Sequence, residues 1–257
     1  MRFSVLGSGS RGNSVYIESG NSAILIDNGF SGKEVEARLH RIGRGLDRLN
    51  GIFITHEHGD HTGGVGVVSR RCHLPVYANG PTFAAAEKRL GKLHARVECE
   101  VGKTTVVQDL EIRSFSISHD AAEPVGYIIS DGRVRLGYCT DLGKVTTLVR
   151  RHLQGCHGLI LEANHDPDML KNGPYPLYLQ QRVKSNHGHL ANGEAAEFLS
   201  DLLHDQLAHV VLAHLSETNN RPQLALQAVR EVLREQQPLH SLRAADQGQP
   251  TELLVLG

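Results

Sequence analysis

Short apolar runs, separated by turns rich in glycine and polar residues, recur along the whole chain. Short runs rich in Val, Ile, Leu, Phe and Tyr predict β-strands. The predicted strands span residues 3–6, 15–17, 23–26, 51–54, 76–78, 110–117, 125–130, 134–138, 158–161, 209–213 and 252–256. The Asp131-Gly132 pair between two of these runs is typical of a β-hairpin turn.

Apolar residues at helical spacing lie between many of the predicted strands. The predicted helices span residues 32–42, 65–70, 81–90, 144–153, 193–203, with Asn192 as the N-cap, and 222–236. The least regular segment is 167–188, which contains Pro174 and Pro176. Helices that alternate with strands favour a layered α/β fold in which helices cover the faces of the sheets.

A glycine-rich turn, Gly7–Ser14, follows the first predicted strand. Phosphate-binding loops are also rich in glycine, but they end in Gly-Lys-Ser or Gly-Lys-Thr and lead into a helix. Neither feature is present here, because the next apolar run begins at Val15. The turn is therefore predicted to be the loop of a hairpin.

Composition and charge exclude several classes of protein. Hydrophobic residues make up 40% of the 257 residues, which is enough for a core. The formal net charge of -1 excludes the bulk electrostatics of a strongly basic nucleic-acid coat protein but leaves room for a local basic groove. The chain shows no signal peptide and no long apolar run, so we expect a cytoplasmic protein without a membrane partner. The four cysteines form no Cys-x-x-Cys pair and are predicted to be buried free thiols and not disulfides or a zinc knuckle.

The strongest chemical motif is His56-Glu57-His58-Gly59-Asp60-His61, which we call the histidine loop and which closely follows the predicted strand 51–54. An extended backbone points residues two apart to the same side, so His56 and His58 are expected to face one metal. Asp60 and His61 reach a neighbouring position, which suits a second cation. The chain has 16 histidines, and their clustering here favours a metal-binding loop over a loop of chance composition.

Further potential ligands follow other predicted strands that are far apart in the sequence. These residues are His119, Asp141, Glu162 and His214. Because polar groups at corresponding strand ends meet at one edge of a sheet, we expect them to join the histidine loop there. Five imidazoles and two carboxylates suit two divalent cations, zinc or manganese, and Asp141 can bridge them.

These motifs resemble those of the metallo-β-lactamase superfamily, a group of di-metal hydrolases. The resemblance extends over nearly the whole chain. It implies one domain, residues 1–257, built as an αββα sandwich of two mixed β-sheets flanked by helices. By resemblance, one metal is bound by His56, His58 and His119, and the other by Asp60, His61 and His214, with Asp141 bridging them.

Two more motifs, Glu162-Ala163-Asn164 and Gly188-His189-Leu190, resemble those of the phosphodiesterases in this superfamily. In the tRNA 3′-processing endonucleases such a pair contacts the scissile phosphate, which implies that His189 is a general acid oriented by Glu162. Asp60 is expected to orient the attacking hydroxide as well as bind metal. The candidate contacts to substrate phosphates are Arg182, Lys184 and His187.

A narrower resemblance is to the WalJ and YycJ branch of the superfamily, whose members are regarded as DNA exonucleases that act from the 5′ end in DNA repair. The stretches that carry it are residues 7–13, 119–121, 140–143, 162–166, 173–176, 188–190 and 212–216. Ala191 departs from the pattern, because serine is expected there. The resemblance implies that DNA is the substrate.

The sequence therefore predicts a metal-dependent 5′-to-3′ DNA exonuclease in which a hydroxide between the two cations attacks the phosphodiester. A phosphodiesterase for a small or cyclic phosphodiester would need the same site. A thioester hydrolase of the glyoxalase II kind shares the histidine loop but has no evident need for Glu162 and His189. A tRNA-processing enzyme would be expected to carry a long substrate arm, and none is visible. The complete ligand set argues against a non-catalytic metal- or DNA-binding module, because a degenerate site would be expected to have lost at least one ligand.

Overall fold

The computed structural model describes residues 1–233 and 241–257. Within these residues the strands are β1 (Arg2–Gly7), β2 (Ser14–Ser19), β3 (Ser22–Ile26), β4 (Gly51–Phe53), β5 (Pro75–Ala78), β6 (Ala95–Glu98), β7 (Thr104–Val107), β8 (Leu110–Ser116), β9 (Val125–Ser130), β10 (Arg135–Cys139), β11 (Gly158–Glu162), β12 (His209–Ala213), β13 (Ser241–Ala244) and β14 (Leu254–Val255). The helices described are α1 (Gly32–Arg41), α2 (Gly59–Thr62), α3 (Val65–Cys72), α4 (Gly80–Leu90), α5 (Thr147–Leu153), α6 (Pro167–Asn172), α7 (Leu177–Val183), α8 (Asn192–Ser200) and α9 (Pro222–Val232).

The strands form two mixed sheets with matching topology. The first has the order β14-β1-β2-β3-β4-β5-β6 and the second the order β13-β12-β11-β10-β9-β8-β7. In the first sheet β1, β2 and β3 pair antiparallel, and β3 to β6 pair parallel. In the second sheet β7 to β10 pair antiparallel, and β10 to β13 pair parallel. The β9–β10 hairpin at Asp131-Gly132 and the β1–β2 hairpin are as predicted.

Alternation along the strands divides the core into three layers. In β3, Ile24 and Ile26 belong to a cluster that joins the two sheets, whereas Leu25 packs in a cluster with residues of α1, α3 and α4. In β11, Ile160 faces the other sheet and Leu161 packs in a cluster with residues of α5, α8 and α9. Every residue of both strands is buried, because each strand is covered on both faces. The predicted αββα sandwich is confirmed.

Segment 167–188 differs from the sequence prediction, which treated it as irregular. It contains α6 and α7, and proline occupies positions where a helix start tolerates it. Pro167 is the first residue of α6, and the carboxylate of Asp166 caps that helix by accepting from the backbone N–H of Met169 at 2.8 Å. Pro176 is the N-cap of α7.

Two predicted helix starts differ from the structure in how the helix is capped. Helix α5 begins at Thr147, later than predicted, because the hydroxyl of Thr146 accepts from the N–H of Val149 and fixes the start there. Asn192 is not an N-cap but the first residue of α8, and its side-chain amide binds Asn220 instead. The cap position is taken by Ala191, whose N–H donates to Glu194.

Strands β6, β7 and β13 had no counterpart among the predicted strands. They are short and only partly buried, so their sequences lack a long apolar run. Helix α9 is observed over Pro222–Val232, and the predicted end at Gln236 lies outside the described residues.

Over residues 1–233 and 241–257, no helix has the length and apolar character needed to cross a bilayer. The four cysteines are free thiols, as predicted: Cys72, Cys99, Cys139 and Cys156. Cys139 and Cys156 are buried, whereas the prediction of burial is wrong for Cys72 and Cys99, which are only half-buried.

Candidate active site

The histidine loop leaves β4 and turns directly into α2. His56 and His58 precede α2, and the Nε2 atom of His56 lies 3.1 Å from Nδ1 of His58. The hydroxyl of Thr62 donates to the backbone oxygen of His58 at 2.9 Å and fixes the turn. Gly64 permits the close approach that follows, since a Cβ there would lie 1.7 Å from the backbone oxygen of Phe30. The local sequence thus sets Asp60 and His61 on α2 beside the first two histidines.

The second sheet delivers single side chains from the ends of its strands to the same place. His119 follows β8, and its Nε2 lies 3.3 Å from Nδ1 of His58. Asp141 follows β10, and its two carboxylate oxygens lie 3.3 Å from Nε2 of His61 and 3.4 Å from Nε2 of His214. His214 follows β12. The structure therefore brings these residues together at one sheet edge, as expected.

Three residues at this edge have left-handed backbone conformations, which are costly for side chains other than glycine. They are Asp27, Asp141 and His214, with φ of 57°, 58° and 54°. Each follows a strand directly or by one residue. The turn after the strand aims each side chain into the site.

The donor atoms form overlapping groups in which all atoms lie within 4.8 Å of one another. The groups that could hold a cation are His56, His58 and His119; Asp60, His61 and His214; His56, His61 and Asp141; and Asp141, Glu162, His189 and His214. Among the described residues, Oδ2 of Asp141 and Nε2 of His214 are buried without a hydrogen-bond partner. Buried polar atoms rarely stay unpaired, and imidazole nitrogens with carboxylate oxygens are donors that zinc and manganese accept. The residues present therefore fit divalent metal ions.

Burial and the neighbouring carboxylates have opposite effects on the pKa values of the site histidines. Burial lowers the pKa of His56 well below its ordinary value, so this imidazole is neutral and ready to ligate. Burial also opposes a charge on His61, but the carboxylates of Asp141, Asp60 and Asp27 outweigh it and raise the pKa of His61 well above its usual range. Burial opposes a charge on His214 as well. The carboxylates of Asp141, Asp60 and Glu162 outweigh that effect and raise the pKa of His214 to about 10. Protons on two imidazoles therefore offset the carboxylates when no cation is bound.

Two supporting residues were not assigned a role from the sequence. Oδ2 of Asp27 lies 2.8 Å from Nδ1 of His61, and its other oxygen accepts from the N–H of Thr55 at 2.8 Å. Asn13, in the glycine-rich loop, donates to Oδ2 of Asp60 at 3.1 Å. Asp27 ends a predicted strand like the other site residues, and that position was a usable signal. Asn13 lies in the stretch 7–13 that carries part of the family resemblance, but nothing in that stretch indicates a contact to Asp60.

Glu162 and His189 meet beside the histidines. Nδ1 of His189 lies 2.8 Å from Oε1 of Glu162. Oε2 of this fully buried glutamate accepts from the N–H groups of Leu142 and Leu190 at 2.9 and 3.0 Å. Burial raises the pKa of Glu162, but the neighbouring His189 and His214 outweigh it and lower the pKa to about 2. An ionised Glu162 requires a proton on Nδ1 of His189, which leaves Nε2 for the substrate.

The three predicted phosphate contacts lie outside this cluster. Arg182 lies on α7, and its Nε donates to Oδ2 of Asp120 at 2.7 Å. Lys184 and His187 are exposed. Nδ1 of His187 is 3.4 Å from the hydroxyl oxygen of Ser118. The structure thus brings Arg182 to the site through Asp120, next to His119, and leaves the other two at the surface.

A cleft of about 180 Å³ opens beside His189 and His214. The segment Gly173–Val183 forms one wall of this cleft. The residues that line the cleft are Ser10, Asp120, Asn164, Tyr175, Leu179, Arg182, Val183, Gly188, His189, His214 and Ser216. The cleft gives a substrate direct access to two of the site histidines.

Comparisons with known proteins agree with this geometry. A family model described as a β-lactamase superfamily domain matches residues 22–215. Exodeoxyribonuclease YycJ of Bacillus anthracis is 39% identical over 237 residues, which cover 91% of this chain and 90% of that protein. Exodeoxyribonuclease WalJ of Streptococcus pneumoniae is 39% identical over 228 residues, which cover 87% of this chain and 85% of that protein. The metallo-β-lactamase fold protein YhfI of Bacillus subtilis superposes with a TM-score of 0.74 at 16% identity, over 97% of this chain and 98% of that chain. At that identity the likeness to YhfI is one of fold alone.

Proposed function

The chain belongs to the metallo-β-lactamase superfamily, and we propose that it is a metal-dependent exodeoxyribonuclease that degrades DNA from the 5′ end. The observation that carries this proposal is the Glu162–His189 pair, held 2.8 Å apart beside the cluster of metal-ligand candidates. Support also comes from the 39% identity to two exodeoxyribonucleases over most of the chain.

Two divalent ions would be held by the ligands assigned from the sequence: His56, His58 and His119 for one, Asp60, His61 and His214 for the other, with Asp141 between them. When bound, such ions lower the pKa of water and neutralise the charge that develops on a phosphate in the transition state. Asp27 and Asn13 fix the orientation of His61 and Asp60 through the contacts described above. Residues that orient ligands in this way tune both metal affinity and activity.

The chain's own acid catalyst in this proposal is His189. Ionised Glu162 accepts from Nδ1–H of the imidazole and stabilises the doubly protonated ring, in which Nε2–H is the group that can pass its proton to the departing oxygen when the phosphodiester breaks. The backbone N–H of His189 donates to the carbonyl oxygen of Val183 at 2.9 Å and fixes the approach of the ring. A thioester hydrolase would not require this acid at this place.

Digestion of end-labelled duplex DNA tests the proposal. Duplexes labelled at the 5′ or the 3′ end are incubated with added manganese or zinc, and wild type is compared with Asp60→Ala. We expect stepwise loss from the 5′ end by the wild type and none by the variant.

Two other outcomes would redirect the assignment. Intact DNA together with Asp60-dependent cleavage of bis-nitrophenyl phosphate would indicate a phosphodiesterase for a smaller substrate. Inactivity on both would favour a thioester hydrolase. A role in DNA repair, a cytoplasmic location and the single domain over residues 1–257 stay predictions from the sequence.

A further inference from the structure

The cleft beside His189 has two chemically different walls. Tyr175, Leu179 and Val183, from α7 and the segment just before it, form the apolar part of the lining, and one of the three is aromatic. Ser10, Asn164 and Ser216 lie on the polar side, together with the site histidines. A nucleotide has the same division, because its base presents flat apolar faces and its phosphate is charged. A cleft of about 180 Å³ is smaller than the roughly 300–1,000 Å³ of sites for drug-sized ligands. It therefore has room for one base and not for several nucleotides.

The backbone around Tyr175 is held rigidly. Pro174 and Pro176 flank it and restrict its conformation. The side-chain amide of Gln180 donates to the backbone oxygen of Tyr175 at 2.9 Å and ties it to α7. An aromatic side chain on a fixed backbone loses little conformational entropy when it binds a partner.

Both ends of the apolar wall are anchored to the active site. At the first end, a Cβ on Gly173 would lie 2.6 Å from Oδ1 of Asn219, so the wall packs tightly against the loop that follows His214. At the other end, Val183 accepts from the N–H of His189. The distance from Tyr175 to the proposed acid is therefore set by the fold.

One carboxylate, Asp120, lines the cleft, and it would repel a DNA strand if its charge were free. Arg182 neutralises it, since Nε and Nη2 of the guanidinium both bind Oδ2 of Asp120 at 2.7 and 2.5 Å. An anionic DNA strand can therefore enter the cleft without repulsion from a free carboxylate at Asp120.

We propose that this cleft is the slot for the base of the 5′-terminal nucleotide, which leaves its strand partner and stacks on Tyr175 while the phosphodiester on its 3′ side lies at the histidines. The inference rests on the proposed exonuclease function. The wall contacts the base through stacking and apolar packing, which every base can provide, so the slot takes any of the four bases.

Strands that differ only at the terminal nucleotide test the slot. One strand carries a normal terminal nucleotide and the other an abasic one, and kcat/KM for the first cut is measured with added manganese. For the wild type we expect about a 10-fold preference for the intact strand, within the range of base–aromatic stacking. Tyr175→Ala should cut the intact strand about 10-fold more slowly and lose the preference. Tyr175→Phe, which keeps the ring, should retain it.

The matched control is Tyr178→Ala. Tyr178 lies on α7, shortly after Tyr175 in the sequence, but is 73% exposed and does not line the cleft, so the preference should equal that of the wild type. Because the preference is a ratio within each variant, a general loss of fold or metal cancels from it.

Three results would overturn the slot: a wild-type ratio near one, a preference retained in Tyr175→Ala, or a preference lost equally in Tyr178→Ala. A wild type that leaves both strands intact overturns the exonuclease function and the slot together. That result differs from digestion without a preference, which overturns the slot alone.

Discussion

The two ends of strand β2 lie beside two buried polar clusters that are completed in different ways. At one end Glu18 is 2% exposed, and all its oxygens are used: Oε2 accepts from the Tyr16 hydroxyl and Arg44 Nε at 2.7 Å each, and Oε1 contacts Arg44 and Arg2 at 2.6 and 2.9 Å. At the other end, past Asn13, lies the histidine cluster. There Asp141 and His214 keep buried atoms without hydrogen-bond partners among the described residues.

The difference separates a structural cluster from a functional one. A buried charge costs free energy unless it is paired, and the Glu18 cluster meets that requirement with the chain's own side chains. The histidine cluster meets it only in part, through protons that a divalent cation would replace. Burial and polarity alone thus do not identify an active site, whereas unpaired donors that converge on one point do.

The strongest test of this contrast is Asp141→Asn. Asp141 stands between both groups of candidate ligands, so we expect hydrolysis of DNA to fall by more than about 100-fold, beyond the loss typical of residues that only support a ligand. Added zinc or manganese should raise the Tm of the wild type and not that of the variant. Steady-state rates and thermal unfolding with and without metal provide the measurement. Equal metal-induced shifts in both proteins would contradict the assignment.

At the other cluster, Glu18→Gln should affect stability. Burial raises the pKa of the Glu18 carboxyl, but hydrogen bonds from Arg44 and Tyr16 and the charges of Arg44 and Arg2 outweigh it and lower the pKa to about 2. The folded-state pKa lies below the unfolded value, so the ionised form stabilises the fold at neutral pH. We expect the variant to lose about 2 to 3 kcal/mol of unfolding free energy at pH 7.

This deficit should depend on pH. It should be full above the unfolded pKa of Glu18 and shrink as the pH falls from about 4.5 towards 2, where wild type also becomes neutral. Denaturant unfolding across that range measures it. The control is Glu34→Gln, whose carboxylate pairs with Arg38 but is 48% exposed, so we expect a change below about 0.5 kcal/mol. A pH-independent deficit for Glu18→Gln would show that shape rather than charge is responsible.

A smaller effect is expected for Asp27→Asn, because Asp27 contacts His61 and no substrate. Loss of the carboxylate that orients His61 should weaken metal binding about 10- to 100-fold. Competition with a metal-binding dye measures the affinity. Asp109→Asn, in the turn before β8, removes a carboxylate that binds Ser22 and Asn21 and should leave metal affinity unchanged. Similar losses in both variants would mean that total charge, and not the Asp27–His61 contact, sets the affinity.

The smallest effect is expected for Lys184→Gln, which removes an exposed charge that belongs to neither cluster. A contact to one phosphate should appear as a decrease of about 0.7 to 0.9 in the slope of log binding constant against log salt. DNA binding at several salt concentrations measures this slope. Arg133→Gln makes the same charge change at the tip of the β9–β10 hairpin, away from the site, and should leave the slope unchanged. Equal changes in both would remove Lys184 from the list of phosphate contacts.

Local pattern was sufficient to predict most of the fold. Strands such as β3, β9 and β11 are continuous apolar runs, and the Asp131-Gly132 turn defines its hairpin. Strands β6 and β13 were missed because their pairing comes from neighbouring strands and not from their own hydrophobicity. Helices α6 and α7 were missed because proline was taken as a sign of irregular structure, although it begins or caps both.

The active-site residues likewise divide into those that a local sequence pattern identifies and those that it does not. The histidine loop is a contiguous motif, and the strand-end rule explains why His119, Asp141 and His214 could be added to it. Asn13 and Tyr175 could not be given a role, because their places depend on how distant segments pack. Asn13 reaches Asp60 only after the two hairpin strands are formed, and Tyr175 faces the cleft only after α7 is anchored at His189.

The dispersal of the ligands along the chain has a consequence for biosynthesis. His56 and His58 are made before most of the strands, whereas His214 follows β12 and is made much later. Closing such distant contacts is slow, and during synthesis the C-terminal partners are not yet available. A nascent chain therefore offers a cation only an incomplete set of donors. A cation would therefore find the full set of donors only once β12 and His214 have been made and have packed beside the histidine loop.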